Sequence, residues 1–460
     1  MLAKESKNVN IKKIIEYGLY LLVFLLPWQT RWIIRAGEIN GGYNEYLTIS
    51  LYGIDILLFI VILLYCYIAI KRNYSKFQTI SDIQYLITWL FIAVLELFAF
   101  ISIFFADDKI LALYRYGVLL LGIGLFWLVV SVRYNKVKLI WSLLAGIFLQ
   151  ASLGIWQFLT QSDFACKWLG MAIHNQAELG VSVIEAIGAG GVGERWLRAY
   201  GGLDHPNILG GVLVVGLLLV IGLLFKYGGF KNKILDIRYW KLKFNNRYLL
   251  FISYFLFFTS LFFTFSRGAW MALIVGVMLI LFLTIFKKDL IKQKEILKII
   301  LFFGILVFIL ASQFRPLLES RLSNNSRLEV KSNIERVESL TVAKDLIKKN
   351  WLTGAGIGNY ALALKKQEPN QPSWYYQPVH NVFLLIWIEI GLLGLLGYLG
   401  LLGYLTWFGF KNNQYLSLPI LSALVIMMLV DHWLWSLHFG ILFFWLIAGL
   451  IAKEKSPDKI

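Results

Sequence analysis

Apolar runs of about twenty residues recur from one end of this chain to the other, each long enough to cross a bilayer as a helix. In hydrocarbon every backbone N–H and C=O has to be satisfied within the protein, which leaves helices and closed barrels as spanning structures; runs of this length select the helix. The runs predict twelve spans, at 13–29, 49–70, 83–105, 111–132, 139–160, 207–225, 248–265, 269–286, 296–312, 383–410, 415–430 and 433–452. The expected fold class is therefore all-α, a polytopic membrane protein. Composition agrees: 59% of residues are apolar and only 15% charged, where soluble domains carry about a quarter. The first run, near Ile14 to Trp28, lacks a small-residue cleavage site and reads as a retained span.

A net charge of +17 would suit a nucleic-acid partner if it were gathered in one domain. Here Lys and Arg are spread through short loops, so the positive-inside rule accounts for the excess and no nucleic acid is expected. Lys4 to Lys13, Lys71 to Lys76, Arg133 to Lys138, Lys226 to Arg247, Lys287 to Lys298 and Lys453 to Lys459 alternate with the remaining loops. That order puts both termini in the cytoplasm. Cys66 falls in a span and Cys166 in an outer loop, which implies neither a disulfide framework nor a metal cluster.

The chain divides by sequence into spans one to nine over 1–312, with an outer loop at 161–206, then a large outer loop at 313–380, then spans ten to twelve over 381–460. Loops of this length are usually functional. Ser332 and Glu335 stand in capping-box spacing, so a helix is expected to start there and to stop before Gly354. Leu340, Ala343 and Ile347 share one face of it, and Arg336 falls on that apolar face instead of among the charges. Gly354, Gly356 and Gly358 in "GAGIGN" resemble a dinucleotide loop only superficially, since they follow a helix and no strand. Gly391, Gly394, Gly397, Gly400 and Gly403 in the tenth span predict close helix packing.

Arg267 in "TFSRGAW" sits in a tight turn between spans seven and eight; it can snorkel to headgroups or clamp an anionic ligand. His380, at the mouth of the tenth span, is either a helix-end hydrogen-bonding residue or a general base. Glu389, nine residues on, is out of phase with His380 on an ideal helix and needs an unnamed partner. Arg115 reads equally as snorkelling or ligand-binding, and His205 equally as a turn residue or a ligand. Trp374, Tyr375 and Tyr376 either stack on sugar rings or anchor their loop. His432 and His438 show no constellation beyond Asp431 and are set aside.

"SRGAW" at a span junction, "RVESLTVAKDLIKKNWLTGAGIGNY" in a long outer loop and "HNVFLLIWIEIGLLG" opening the next span, in this order, resemble the bacterial O-antigen ligase and O-antigen polymerase superfamily. "GGLDHPNILGG" is similar to that family's proline-asparagine motif and brings in Asn207. The resemblance implies a C-type membrane glycosyltransferase with its active site outside the cytoplasmic membrane. Such enzymes move a glycan from undecaprenyl pyrophosphate to a hydroxyl of a lipid-linked sugar, a growing glycan or a protein. By that likeness Arg267 and Arg336 bind the pyrophosphate and His380 is catalytic. Arg115, His205, Asn207 and Asn381 are the further candidate substrate-binding residues. The outer loops show no aspartate pair suited to Mg²⁺, so neither metal nor other cofactor is expected. A transporter or flippase for lipid-linked glycans is the rival of another class, and it would need no base; the two halves show no convincing repeat of the kind transporters carry.

The orientation is testable in a variant with Cys66 and Cys166 replaced by serine. A cysteine at Lys365 should react with an impermeant maleimide in intact cells, and one at Lys231 only after permeabilisation. The reverse pattern would overturn the threading.

Overall fold

The structure, a computed structural model, describes residues 2–71, 83–187, 193–227, 246–323, 327–412 and 415–453. Lys76, Lys231 and Lys459, which carry part of the orientation argument, lie outside them. The described residues form sixteen α-helices: α1 (Leu2–Leu25), α2 (Gly53–Lys71), α3 (Ile83–Ser102), α4 (Lys109–Ser131), α5 (Lys136–Thr160), α6 (Pro206–Lys226), α7 (Asn246–Phe263), α8 (Arg267–Phe286), α9 (Leu290–Gln313), α10 (Arg315–Ser323), α11 (Arg327–Asn350), α12 (Tyr360–Gln367), α13 (Val382–Lys411), α14 (Ser417–Val430), α15 (Trp433–Ser436) and α16 (His438–Ala452). Each predicted span coincides with a helix. Among the described residues eight helices are long and apolar enough to cross a membrane, namely α2 to α6, α8, α9 and α13, while α7, α14 and α16 are apolar but shorter.

The chain forms two compact units, one of residues 1–142, 335–412 and 428–460, the other of 143–334 and 413–427. In the first, the glycines of α13 do what their spacing suggests at two places. A Cβ at Gly397 would lie 3.0 Å from the Leu95 backbone nitrogen, and one at Gly400 would run into the Phe91 ring, so α3 and α13 meet nearly backbone to backbone. Gly122 and Gly449 give α4 and α16 the same closeness, against Trp445 and Val129 respectively. In the second unit α6 is buried along almost its whole length, with α7 and α8 against it.

Three expectations change. The helix of the large loop starts at Arg327, so Ser332 and Glu335 lie inside it; Glu329 in its first turn complements the helix dipole further upstream. It stops at Asn350, before Gly354, as expected. Its buried stripe is Ala343 and Leu346, and Leu340 is exposed. The all-helical picture also omits six short strands. β1 (Arg31–Arg35) pairs antiparallel with β4 (Ile49–Tyr52), β2 (Glu38–Ile39) with β3 (Gly42–Tyr43), and β5 (Val183–Ile187) with β6 (Gly193–Leu197). Strand β4 thus takes the first residues predicted for the second span. The twelfth span is broken, with α15 ending at Ser436 and α16 beginning at His438.

The "GAGIGN" glycines have a structural use. Helix α13 breaks at Gly391, whose φ of 77° and ψ of 176° only glycine adopts freely. The break frees the carbonyls of Ile388 and Glu389, which accept instead from the N–H groups of Ala355 (2.7 Å) and Gly356 (2.9 Å), while Leu392 N–H donates to Trp351 (2.9 Å). Residues 351–356 are therefore a strap bonded into an interrupted membrane helix, the arrangement that keeps a broken backbone satisfied away from water. Gly354 and Gly356 are left-handed and have no room for a Cβ, facing Glu389 and Ala106.

Replacing Gly391 by alanine should cost about 1–3 kcal/mol of backbone strain, plus the collision of its Cβ, 2.0 Å from the Leu352 carbonyl oxygen. Thermal unfolding of the purified variant in detergent is the check. A midpoint equal to wild type would show that the helix break is not needed.

Candidate functional site

In the second unit, the turn before Arg267 is three residues long, Thr264 to Ser266, and Arg267 is the first residue of α8. Phe265 takes a left-handed φ of 46°, unusual for a bulky residue, and is held there by rings of Phe158, Phe262 and Trp270 with centroids 5.4 to 6.0 Å away. The carbonyls that end α7 have no helical partners. Each is satisfied from elsewhere: Phe263 by the Ala199 N–H (3.0 Å), Thr264 by Arg198 Nε (2.6 Å) and Phe265 by Arg321 Nε (3.0 Å). Arg198, itself buried, also donates to Ser182 Oγ (2.6 Å) and to Asn207 Oδ1 (3.1 Å). It thereby joins the proline-asparagine segment to the "SRG" turn. The Arg267 guanidinium, a quarter exposed, lies 2.9 Å from the buried carboxylate of Glu329, which Arg321 also contacts.

His205 is the N-cap of α6, its Nδ1 accepting from the Asn207 N–H at 3.0 Å. That is the turn reading. Elsewhere in the same loop His174 pairs with Asp163 (2.6 Å) and stacks on Tyr200, whose hydroxyl burial holds well up the pKa scale, to about 12.

In the first unit, Asn381 caps α13 by accepting from the Leu384 N–H (3.0 Å) and donates to the Leu429 carbonyl (3.2 Å). His380, just before this cap, is not the capping residue. Its Nδ1 is buried, has no hydrogen-bond partner among the described residues and lies 3.8 Å from Asp431 Oδ1. The His432 ring is 5.1 Å from the His380 ring. Burial pushes His432 down to about 4, overriding the nearby Asp431, so it stays neutral at physiological pH. Its Nδ1 is held 2.7 Å from Ser436 Oγ, and its backbone N–H donates to Asp431 Oδ1. His380, Asp431 and His432 each offer a donor atom within 4.8 Å of the others, a set that could also hold a divalent cation with an open position.

Arg115 does not snorkel. It is buried, donates to the carbonyls of Ser436 and Tyr46 (both 2.9 Å), and leaves its Nε without a hydrogen-bond partner among the described residues. Glu389, left without a partner by the sequence, accepts from Trp435 Nε1 at 2.8 Å and shares a cavity with Arg115. Because Ser436 and Tyr46 both touch His432, Arg115 braces the residues around His380. Arg336 is half-buried on α11. Of the three aromatics before His380, Tyr376 is an anchor: it is fully buried and its hydroxyl bonds Glu368, Asn40 and Gln371. Trp374 stays exposed.

Arg198, Arg321 and Glu329 are residues that sequence reasoning missed, and His432 with Asp431 is a pair that it set aside. Against known proteins, the O-antigen ligase family profile matches residues 252–399, about a third of the chain, and takes in Arg267, Arg336 and His380. No curated protein matches the chain.

Arg198→Met should orphan the Thr264 carbonyl and cost roughly 3 kcal/mol, lowering the unfolding midpoint in detergent. Arg198→Lys, able to satisfy one of the three acceptors, should fall between. An unchanged midpoint for the methionine variant would remove Arg198 from the support of the turn.

Proposed function

From the match of residues 252–399 to the O-antigen ligase family profile, we propose that the chain is a member of the O-antigen ligase and polymerase superfamily, a membrane glycosyltransferase that moves a glycan from an undecaprenyl pyrophosphate carrier to an acceptor hydroxyl on the outer face of the bacterial cytoplasmic membrane. In this reading the chain threads the bilayer twelve times with both termini inside. The bond from the acceptor oxygen to the anomeric carbon forms as the bond from that carbon to the phosphate oxygen breaks. The leaving pyrophosphate keeps the electron pair, and His380 takes the hydroxyl proton.

The observation that carries the reading is the setting of His380. It is a half-exposed imidazole with a carboxylate beside its Nδ1 and a neutral, fixed histidine next to it. A carboxylate there favours the tautomer with the proton on Nδ1, leaving Nε2 to accept, and stabilises the imidazolium that forms. Glycosyl transfer needs an acceptor for the hydroxyl proton, and Nε2 is placed to be one. Arg267 and Arg336 neutralise the pyrophosphate as it leaves, where guanidinium forks keep their charge and bond phosphate oxygens two at a time. Arg115 acts as a positioning residue in this reading, and His205, Asn207 and Asn381 set the starts of the helices that carry or neighbour the site. The acceptor is a lipid-linked sugar, with a growing glycan or a protein hydroxyl as the alternatives within the superfamily.

Transfer measured with purified protein and a lipid-linked glycan donor tests the proposal. His380→Ala should lose at least about a hundredfold in turnover with donor binding kept. Arg267→Lys and Arg336→Lys should lose most activity although the charge remains. Excess chelator should leave turnover unchanged; loss on chelation with recovery on adding Zn²⁺ or Mg²⁺ would convert the His380, Asp431 and His432 set into a metal centre. No covalent product under any condition would favour the transporter.

A further inference from the structure

Two imidazoles and a carboxylate of the first unit gather at the candidate base. His380 stands just before α13, Asp431 and His432 lie between α14 and α15, and each offers one donor atom within 4.8 Å of those of the other two. His380 Nδ1 is buried, has no hydrogen-bond partner among the described residues and faces Asp431 Oδ1 across 3.8 Å. That separation is too long for a hydrogen bond. It exceeds by only about half an ångström the spacing of two ligands on a tetrahedral Zn²⁺ with bonds of about 2.0–2.1 Å. His432 is prepared for the same task. Ser436 Oγ donates to the His432 carbonyl (3.1 Å), so it presents a lone pair to His432 Nδ1 at 2.7 Å. The imidazole proton is thereby held on Nδ1 and the ring lone pair on Nε2, the arrangement in which a ligating histidine gives its other N–H to an oxygen of the protein. Asp431 Oδ1 accepts the His432 backbone N–H (2.7 Å). A carboxylate has about four lone-pair sites, so Asp431 serves such bonds and a cation together.

We propose that His380, Asp431 and His432 are a binding site for a transition-metal ion of the Zn²⁺ class, and that the bound ion silences glycosyl transfer by fixing His380 in the wrong tautomer. The silencing rests on His380 being the base of the proposed transfer; the binding does not. Two imidazole nitrogens and one carboxylate oxygen suit Zn²⁺ and fill three of its four positions, leaving the last to water. Mg²⁺ and Ca²⁺, which take six or more oxygens, are poorly served by this set. Ligation through Nδ1 uses the lone pair of that nitrogen, so the proton that Nδ1 carries in the transfer-competent tautomer leaves it and one is taken up at Nε2. His380 releases no net proton and keeps no lone pair on Nε2 for the acceptor hydroxyl. The ion changes no oxidation state. None of the three ligands is a proposed pyrophosphate contact, so turnover falls while donor binding persists. The metal-free protein is the active form, in keeping with turnover that excess chelator leaves unchanged.

The test uses tag-free, full-length protein in nanodiscs with Cys66 and Cys166 replaced by serine, so that no thiol competes for the ion. Zn²⁺ titrated against a chromophoric chelator should bind as a single tight equivalent per chain, Co²⁺ should give the visible absorption of a tetrahedral site, and Mg²⁺ should not compete. Zn²⁺ should also raise the thermal midpoint of this parent protein. Asp431→Asn, His432→Gln and His380→Ala should each weaken Zn²⁺ at least about tenfold and shrink that rise. His174→Asn, which removes the histidine paired with Asp163, should do neither. Saturating Zn²⁺ should lower turnover at least about a hundredfold with donor binding kept, and chelator should restore it. No uptake and no midpoint rise in the parent protein would overturn the site without recourse to any variant. Binding that all three substitutions leave intact would put the ion elsewhere, and the inference would fail with the base reading untouched. Zn²⁺ bound at these residues with turnover unchanged would end the silencing and His380 as the base together. Turnover lost on chelation and recovered with Zn²⁺ would make the ion a cofactor, which also overturns the silencing.

Discussion

Three consecutive backbone carbonyls, those of Phe263, Thr264 and Phe265, determine how the second unit is arranged around Arg267. They end an apolar helix among buried rings, and an unpaired carbonyl there costs about 1–3 kcal/mol. The protein satisfies them with one backbone N–H and two guanidiniums, from Ala199, Arg198 and Arg321. Those donors come from the loop before α6 and from the helix after α9, so satisfying one turn fixes the position of three segments distant in sequence. The left-handed Phe265 is tolerable because rings of Phe158 on α5, Phe262 on α7 and Trp270 on α8 surround it. Arg267 inherits its direction from this frame.

The first unit solves the same problem differently. At Gly391 the helical ladder of α13 is interrupted, and the strap at 351–356 supplies the missing donors and acceptor from outside the helix. The residues after the strap are fixed in turn: Ile357 N–H donates to Ser102 Oγ, Asn359 Oδ1 accepts from Asp108, and Gly358 lies against the Arg115 side chain. The break therefore brings the buried Arg115 and Glu389 into one cavity. An arginine and a glutamate at this depth are expensive singly and tolerable as a bonded set, in which Arg115 donates to two carbonyls and Glu389 accepts from a ring N–H.

How much of this is legible in the sequence depends on the range of the interaction concerned. Helix positions follow from local hydropathy: eleven of the twelve predicted spans each overlap one helix and the twelfth overlaps two, with eight of the helices long and apolar enough to cross a membrane. The tight turn at Arg267 and the helix start beside His380 are also local, and both appear where the sequence places them. The start of α11 shows local reasoning failing on its own terms: Ser332 and Glu335 have capping-box spacing, but the residues before them are good helix formers, and Glu329 supplies an earlier acidic first turn. Asp431 lies 51 residues beyond His380, across α13 and α14, and no spacing rule links them. The same holds for Arg198 and Thr264. Glu389 has no readable partner in the sequence because Trp435 approaches it only once α15 is split from α16 at Leu437. By spacing alone Gly391 is one more small residue of a packing stripe; only its conformation shows that it is a break.

Three of the four motifs behind the family resemblance have one structural property in common; the fourth, which carries Arg336, lies within α11 and the strap after it. His205 caps α6, Arg267 opens α8, and Asn381 caps α13 just after His380. Each therefore stands at a helix N-terminus, where N–H groups without helical partners carry partial positive charge. Two of these starts are closed by a side chain that accepts from one N–H of the first turn, Asn207 N–H at His205 and Leu384 N–H at Asn381. Ser266, the cap residue of α8, makes no such bond. The start of α8 is thus the one of the three whose cap side chain does not compete for its N–H groups, and it is the one that places a guanidinium in the first position. Helix polarity and side-chain charge there have the same sign, while the nearest carboxylate, Glu329, is shared with a second arginine. Of the three starts, this one opens with a guanidinium and has no side-chain cap, and the other two are held in place by side-chain caps.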